Sequence, residues 1–129
     1  MACSGAAMLF AQSARTVWDG VYTDAQAARG AAAYTKECAF CHMDDLSGGE
    51  FAPPLMADPF TRRWQDGVVG DLLTIIKKTM PADGPGRLTA QEYADIVAYL
   101  LSMNKWPAGP KELSTDPAAL KVIVFKKPE

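Results

Sequence analysis

The chain predicts an all-α domain, three main helices joined by long loops, and three observations lead there. Thr23-Asp24-Ala25-Gln26 and Thr89-Ala90-Gln91-Glu92 each put a hydroxyl at a helix N-cap and an amide or carboxylate three residues on, the reciprocal pattern that opens a helix. The residues after each box recur at helical spacing, with no alternating, strand-like run beside them. Between the boxes stands Cys38-Ala39-Phe40-Cys41-His42, two thiols three apart with an imidazole directly after, the pattern of covalent c-type haem attachment.

The spacing has a geometric reason. On one helical turn the two sulfurs reach the two vinyl groups along one edge of a porphyrin, and the next residue, His42, aims a ring nitrogen at the iron. Other uses of the motif fit less well. A zinc site wants four ligands, and beyond the cluster only Cys3 and no second histidine exist. Cys41 and His42 are also adjacent, which is awkward for two bonds to one ion. A thioredoxin-like CxxC needs a βαβ setting, and a Cys38–Cys41 disulfide would close a very short loop for little gain.

At 129 residues the chain is read as one domain. A domain this size buries a modest fraction of its surface, and a haem would add a large apolar body for helices to pack on. A net charge of −2 and a pI near 5.4 argue against nucleic-acid binding. No run of roughly 18 apolar residues is present to span a membrane.

Residues 1–14 read as the remnant of a signal peptide. Ala6 to Ala11 are mostly apolar and small residues follow at Ser13-Ala14, although the basic n-region is missing. Cys3 would then be lost on maturation; lipid modification of it fits poorly, because the apolar stretch follows rather than precedes it. Met1 found intact on the exported, haem-bearing protein would rule the remnant out. The haem domain is expected over 15–104, and 105–129 as an extension laid over it.

The first helix carries Ala27, Gly30, Ala31, Tyr34 and Cys38 on one face. Gly30 weakens a helix, so it is expected at a close helix crossing. From Met43 to Gln65, glycines, Pro53, Pro54 and Pro59 predict a loop anchored by Phe51, Leu55, Phe60 and Trp64, and wrapping a haem edge would justify its length. A helix is predicted over about Val69–Thr79, with Leu72, Ile75, Ile76 and Thr79 inward. It ends because Pro81 disfavours helical geometry at Met80. The last helix runs from the second box to about Met103, with Tyr93, Ile96, Val97, Leu100 and Met103 inward and Gln91, Asp95, Ala98 and Ser102 on a mostly wet face. Beyond it, Pro117–Leu120 is read as a turn of helix and Val122–Phe125 as an apolar stretch.

His42 is the sole histidine, which excludes same-chain bis-histidine ligation. Met1 and Met8 lie in the leader, Met43 adjoins His42 and cannot reach the opposite haem face, and Met103 sits on a core stripe. Met80 is preferred as second iron ligand: it lies 38 residues beyond His42, far enough to return on the distal side, and Pro81 frees it from the helix. Met56, only 14 residues beyond, is the runner-up. Histidine–methionine ligation favours ferrous iron and raises the potential, which suits electron transfer.

These residues resemble the class I c-type cytochromes over about Ala25 to Met103. Gly30 and Tyr34 stand eight and four residues before Cys38, and Ile96 and Tyr99 stand three apart on the last helix, where the family packs its two terminal helices together. The resemblance implies the cytochrome c fold around one covalently bound haem c. It also implies that the Pro53 carbonyl accepts the His42 Nδ1 proton, and that Trp64 donates to a haem propionate, with a core role equally open to that tryptophan. Ala52-Pro53-Pro54-Leu55, Thr79-Met80-Pro81-Ala82 and Tyr93 to Leu100 are similar to small cytochromes that take electrons from quinoprotein (PQQ-type) dehydrogenases. The lysine-rich ring of the mitochondrial carrier is absent, so docking by the haem edge through a largely uncharged rim is expected.

The implied function is a periplasmic or otherwise extracytoplasmic one-electron carrier, not an enzyme, passing electrons from a dehydrogenase to a terminal acceptor. The alternatives are a cytochrome subunit of a larger quinoprotein complex, or a haem sensor or peroxidase with a labile methionine. The latter would want a distal acid–base group, and no second histidine is available for it.

Overall fold

A computed structural model describes residues 15–127; the leader reading and Cys3 lie outside them. The described chain is mostly helical, with α1 (Asp24–Glu37), α2 (Ala39–His42), α3 (Ala57–Trp64), α4 (Val69–Thr79) and α5 (Ala90–Met103). Its only sheet is β1 (Arg15–Thr16) paired in parallel with β2 (Ile123–Val124). Short 3₁₀ turns form at Val17–Asp19 and Pro117–Leu120.

The crossing of α1 and α5 organises the fold. Gly30 is buried where a Cβ would overlap the Asp95 carbonyl and approach the Tyr99 Cβ, so only glycine lets the two backbones come this close. One turn further along α1, Tyr34 meets the Tyr99 ring at 5.3 Å between centroids. A small core cluster around Tyr34, Ala39, Leu46, Ile96 and Leu100 lies on one side. A larger one spreads over α3, α4, α5 and the C-terminal residues. Leu55, Ile76 and Leu88 pack against both clusters and stay part-exposed, marking the seam between them.

Several local expectations are corrected. The stretch read as loop contains α3. Pro59 falls in the first turn of that helix, where its missing N–H has no intrahelical partner to lose. The Thr89 box is reciprocal, but at α1 only Thr23 caps, accepting from the Gln26 N–H at 3.1 Å. The Gln26 side chain is instead fully buried and clasps Leu113, donating to its carbonyl at 3.2 Å and accepting from its N–H at 2.7 Å.

The wet face assigned to α5 is covered at its middle, with Asp95 and Ala98 buried, while Gln91 is exposed and Ser102 part-buried. Asp95 accepts from Arg29 at 3.1 and 3.2 Å and from Gln91 at 2.7 Å, so its charge is paired as burial demands. On α4 the buried residues are Val69, Gly70, Leu72 and Leu73, while Ile75 and Thr79 are exposed. The C-terminal residues also pack over the helices. Trp106, Leu113, Leu120, Ile123 and Phe125 are all buried, Phe125 lies among the rings of Phe60, Trp64 and Trp106, and the Trp106 indole donates to the Lys126 carbonyl at 2.8 Å.

Candidate functional site

Helix α1 stops at Glu37 because Cys38 leaves helical geometry at φ −126°. The chain then makes one further turn, α2, whose His42 N–H donates to the Cys38 carbonyl at 3.0 Å. That turn presents Cys38, Cys41 and His42 together. Both thiols are free and part-buried, and the imidazole is 6% exposed.

His42 Nδ1 lies 2.9 Å from the Pro53 carbonyl. A carbonyl can only accept, so Nδ1 carries the proton and the lone pair is left on Nε2. The bond therefore fixes both the tautomer and the ring plane, as a metal-ligating imidazole requires. The loop is shaped for this contact: Gly48 donates to the His42 carbonyl at 2.9 Å and Leu55 to Leu46 at 2.9 Å. Gly48 sits at φ +69° against the Pro53–Pro54 backbone, a conformation and a closeness that a side chain would oppose.

From the other side, Tyr34 donates to the Met43 carbonyl at 2.6 Å. Burial first, then the charges of Cys38, Tyr99, Asp44 and Asp45, push the Tyr34 phenol well above its ordinary range, so it stays a donor.

Burial first, and the Glu37 carboxylate second, push the Cys38 thiol up to about 11, with Arg87 opposing. At pH 8 such a thiol is roughly 0.1% thiolate, so alkylation of Cys38 by iodoacetamide in the haem-free chain is expected about a hundredfold slower than for an ordinary cysteine. Peptide mapping against pH should show the rate climbing toward pH 11. The unfolded chain gives up this proton first, so the haem-free fold should also lose stability as pH rises from about 9 to 11. A thioether has no such proton, and attachment should abolish both effects.

Met80 caps the end of α4, part-buried and in extended geometry. Its carbonyl accepts from the Tyr93 hydroxyl at 2.7 Å, and the loop after it is tied back by Arg87, 2.6 Å from Glu37. Sequence reading missed both anchors: Tyr93 was legible only as a core residue, and neither partner is near enough in the chain to show. Met56 and Met103 pack against the smaller core cluster, whereas Met80 joins neither cluster.

Trp64 lies in the larger cluster, its ring 5.8 Å from Phe125 and under the Arg63 guanidinium at 5.4 Å. With Arg63, Asp71, Thr74 and Ile75 it lines a cleft of about 370 Å³. The structure thus brings Cys38, Cys41, His42 and Pro53 into one site and sets Trp64 against the C-terminal residues.

The donor set fits a haem: two free thiols, a nitrogen with its tautomer set, and an apolar seam edged by Leu55, Ile76 and Leu88. No helix among the described residues is long and apolar enough to cross a membrane. The sequence profile of the family described as cytochrome C oxidase, cbb3-type, subunit III matches residues 25–100, more than half of the chain. No curated protein and no solved structure matches. The chain belongs to this family of c-type cytochrome domains, and it is an electron-transfer module carrying covalently attached haem c and its iron rather than a catalytic enzyme.

Proposed function

We propose that the chain is an extracytoplasmic one-electron carrier with histidine–methionine ligation, Cys38 and Cys41 forming the thioethers, His42 Nε2 and the Met80 sulfur holding the iron. The observation that carries this reading is the 2.9 Å contact from buried His42 to the Pro53 carbonyl. It is the contact that a metal-ligating histidine uses to leave its other ring nitrogen free for the metal.

The haem, when bound, supplies the one-electron couple of its iron. The protein's own part is to orient and to exclude water. Pro53 holds the Nδ1 proton and makes Nε2 a better donor. Tyr93 pins the Met80 carbonyl, and Arg87 ties the loop beyond it to Glu37 at the end of α1. Trp64 serves chiefly as core, with its indole N–H available to a propionate. His42 is the sole histidine in the sequence, so the distal histidine that a haem enzyme would use as acid and base is lacking.

The decisive measurement is the spectrum of the matured ferric protein. The far-red methionine–iron charge-transfer band is expected, lost in Met80→Ala and kept in Met56→Ala. The potential of Met80→Ala should fall by about 0.2 V, since axial ligands move haem potentials over roughly 0.8 V. A band lost only in Met56→Ala would make Met56 the ligand.

A second reading, a fixed subunit of a larger complex, is favoured by the family's description as an oxidase subunit. Purification with a tightly held partner, a quinoprotein dehydrogenase or an oxidase, would support it over a free carrier between dehydrogenase and acceptor.

A further inference from the structure

Among the described residues, three of the five large apolar side chains that stand exposed belong to one short stretch: Phe40 at 93%, Met43 at 38% and Phe51 at 82%. Phe40 sits in the attachment turn itself. At 100° per residue it points about 160° away from His42, so a group bound at His42 leaves it in solvent. Met43 reaches toward the same loop, its terminal methyl 3.3 Å from where a Cβ of Gly49 would stand. Exposing two phenylalanines costs solubility without any return in packing, which marks an interaction surface.

The charge around them is one-sided. Between Lys36 and Arg62 the chain has Glu37, Asp44, Asp45, Glu50 and Asp58 and no lysine or arginine, although the whole chain carries only −2. Glu37 is taken up by Arg87 at 2.6 Å, and Asp58 lies 3.7 Å from Arg62. Asp44, Asp45 and Glu50 are exposed and have no basic partner among the described residues. The Asp45 carboxylate accepts from the Ser47 N–H at 3.0 Å, which keeps it on the surface of the loop.

We propose that Phe40 and Phe51, set among Asp44, Asp45 and Glu50, are the docking face for an electron-exchange partner that presents an apolar recess bordered by lysines and arginines. This rests on the carrier reading above and replaces the uncharged rim that the sequence suggested. A second copy of the chain is disfavoured, because it would set carboxylates against carboxylates. The face adjoins Cys41, so docking brings the partner to the attached edge of the haem. The haem iron would supply the one-electron couple there, one centre being oxidised as the other is reduced, while Phe40, Phe51 and the three carboxylates would hold the partner.

The test titrates isotope-labelled holo-protein with a lysine-rich mitochondrial-type cytochrome c as the cationic probe. Amide shift changes should concentrate on residues 39–51, and affinity should fall at least tenfold between roughly 20 and 200 mM salt. Phe40→Ser/Phe51→Ser and Asp44→Asn/Asp45→Asn/Glu50→Gln should each weaken binding about tenfold with the haem spectrum unchanged. Shifts on another face, salt-indifferent affinity, unaltered variants or no binding would each overturn the docking face. Failure of the carrier reading would show earlier and separately, as a starting protein without a c-type spectrum.

Discussion

Gly30→Val is expected to destabilise the fold strongly while leaving the chain able to fold. Gly30 is a buried residue of α1, and any Cβ there meets the Asp95 carbonyl oxygen, then its carbon at 2.5 Å and the Tyr99 Cβ at 2.9 Å. Two of those three atoms are backbone, so no rotamer change relieves the overlap and α1 and α5 must separate. Over-packing typically costs 1–3 kcal/mol and occasionally more, and a clash against backbone belongs at or above the top of that range. A better helix former returns at most about 1 kcal/mol. A net loss of about 3 kcal/mol is expected, from a domain whose total stability is on the order of 5–15 kcal/mol. Parting the helices would also pull apart Tyr34 and Tyr99 and loosen the Tyr34 hold on Met43. Denaturant unfolding of Gly30→Ala and Gly30→Val should show a graded loss, the valine worse; equal stability to the parent would mean the helices do not cross here.

Phe125→Ala should cost about as much, from the opposite end of the chain. Phe125 is 1% exposed, edge-on to Phe60 at 6.5 Å, with Trp64 at 5.8 Å and Trp106 at 5.5 Å. Truncating such a residue removes its transfer energy and leaves a cavity, about 3–5 kcal/mol in well-packed cores. The three rings come from α3 and from the chain after α5, and rigid rings close poorly over a void, which puts the cost toward the upper end. Its backbone matters as well: the Phe125 N–H donates to the Gly67 carbonyl at 2.9 Å, and its carbonyl accepts from Asp66 at 3.0 Å. Lowered thermal stability, together with altered Trp64 and Trp106 fluorescence, is the expected readout. A variant as stable as the parent would show that the C-terminal residues are an ornament rather than core.

How much was legible follows the range of each interaction. Helix α4 appeared in the sequence because its apolar period and Pro81 both act within a few residues. Helix α5 appeared for the same reason, with Thr89 and Glu92 at its head. Helix α3 was lost because Pro59 was weighed as a loop residue, when position within the first turn makes it harmless. The attachment motif was readable because its chemistry lies within five consecutive residues.

The sequence by itself determined the all-helical class, the haem-binding motif and the crossing demanded by Gly30, each written in local spacing or in a residue with one conformational use. Only the tertiary structure decided where long-range partners meet: Gln26 clasping Leu113 instead of closing its own cap, Asp95 buried against Arg29, Tyr93 holding the carbonyl of Met80, and Trp64 tilted against Phe125. A buried polar atom takes whichever partner folding brings within 3 Å, and a ring takes whichever neighbour fills its surface. Those choices depend on chain segments up to some 90 residues apart, and no local pattern encodes them.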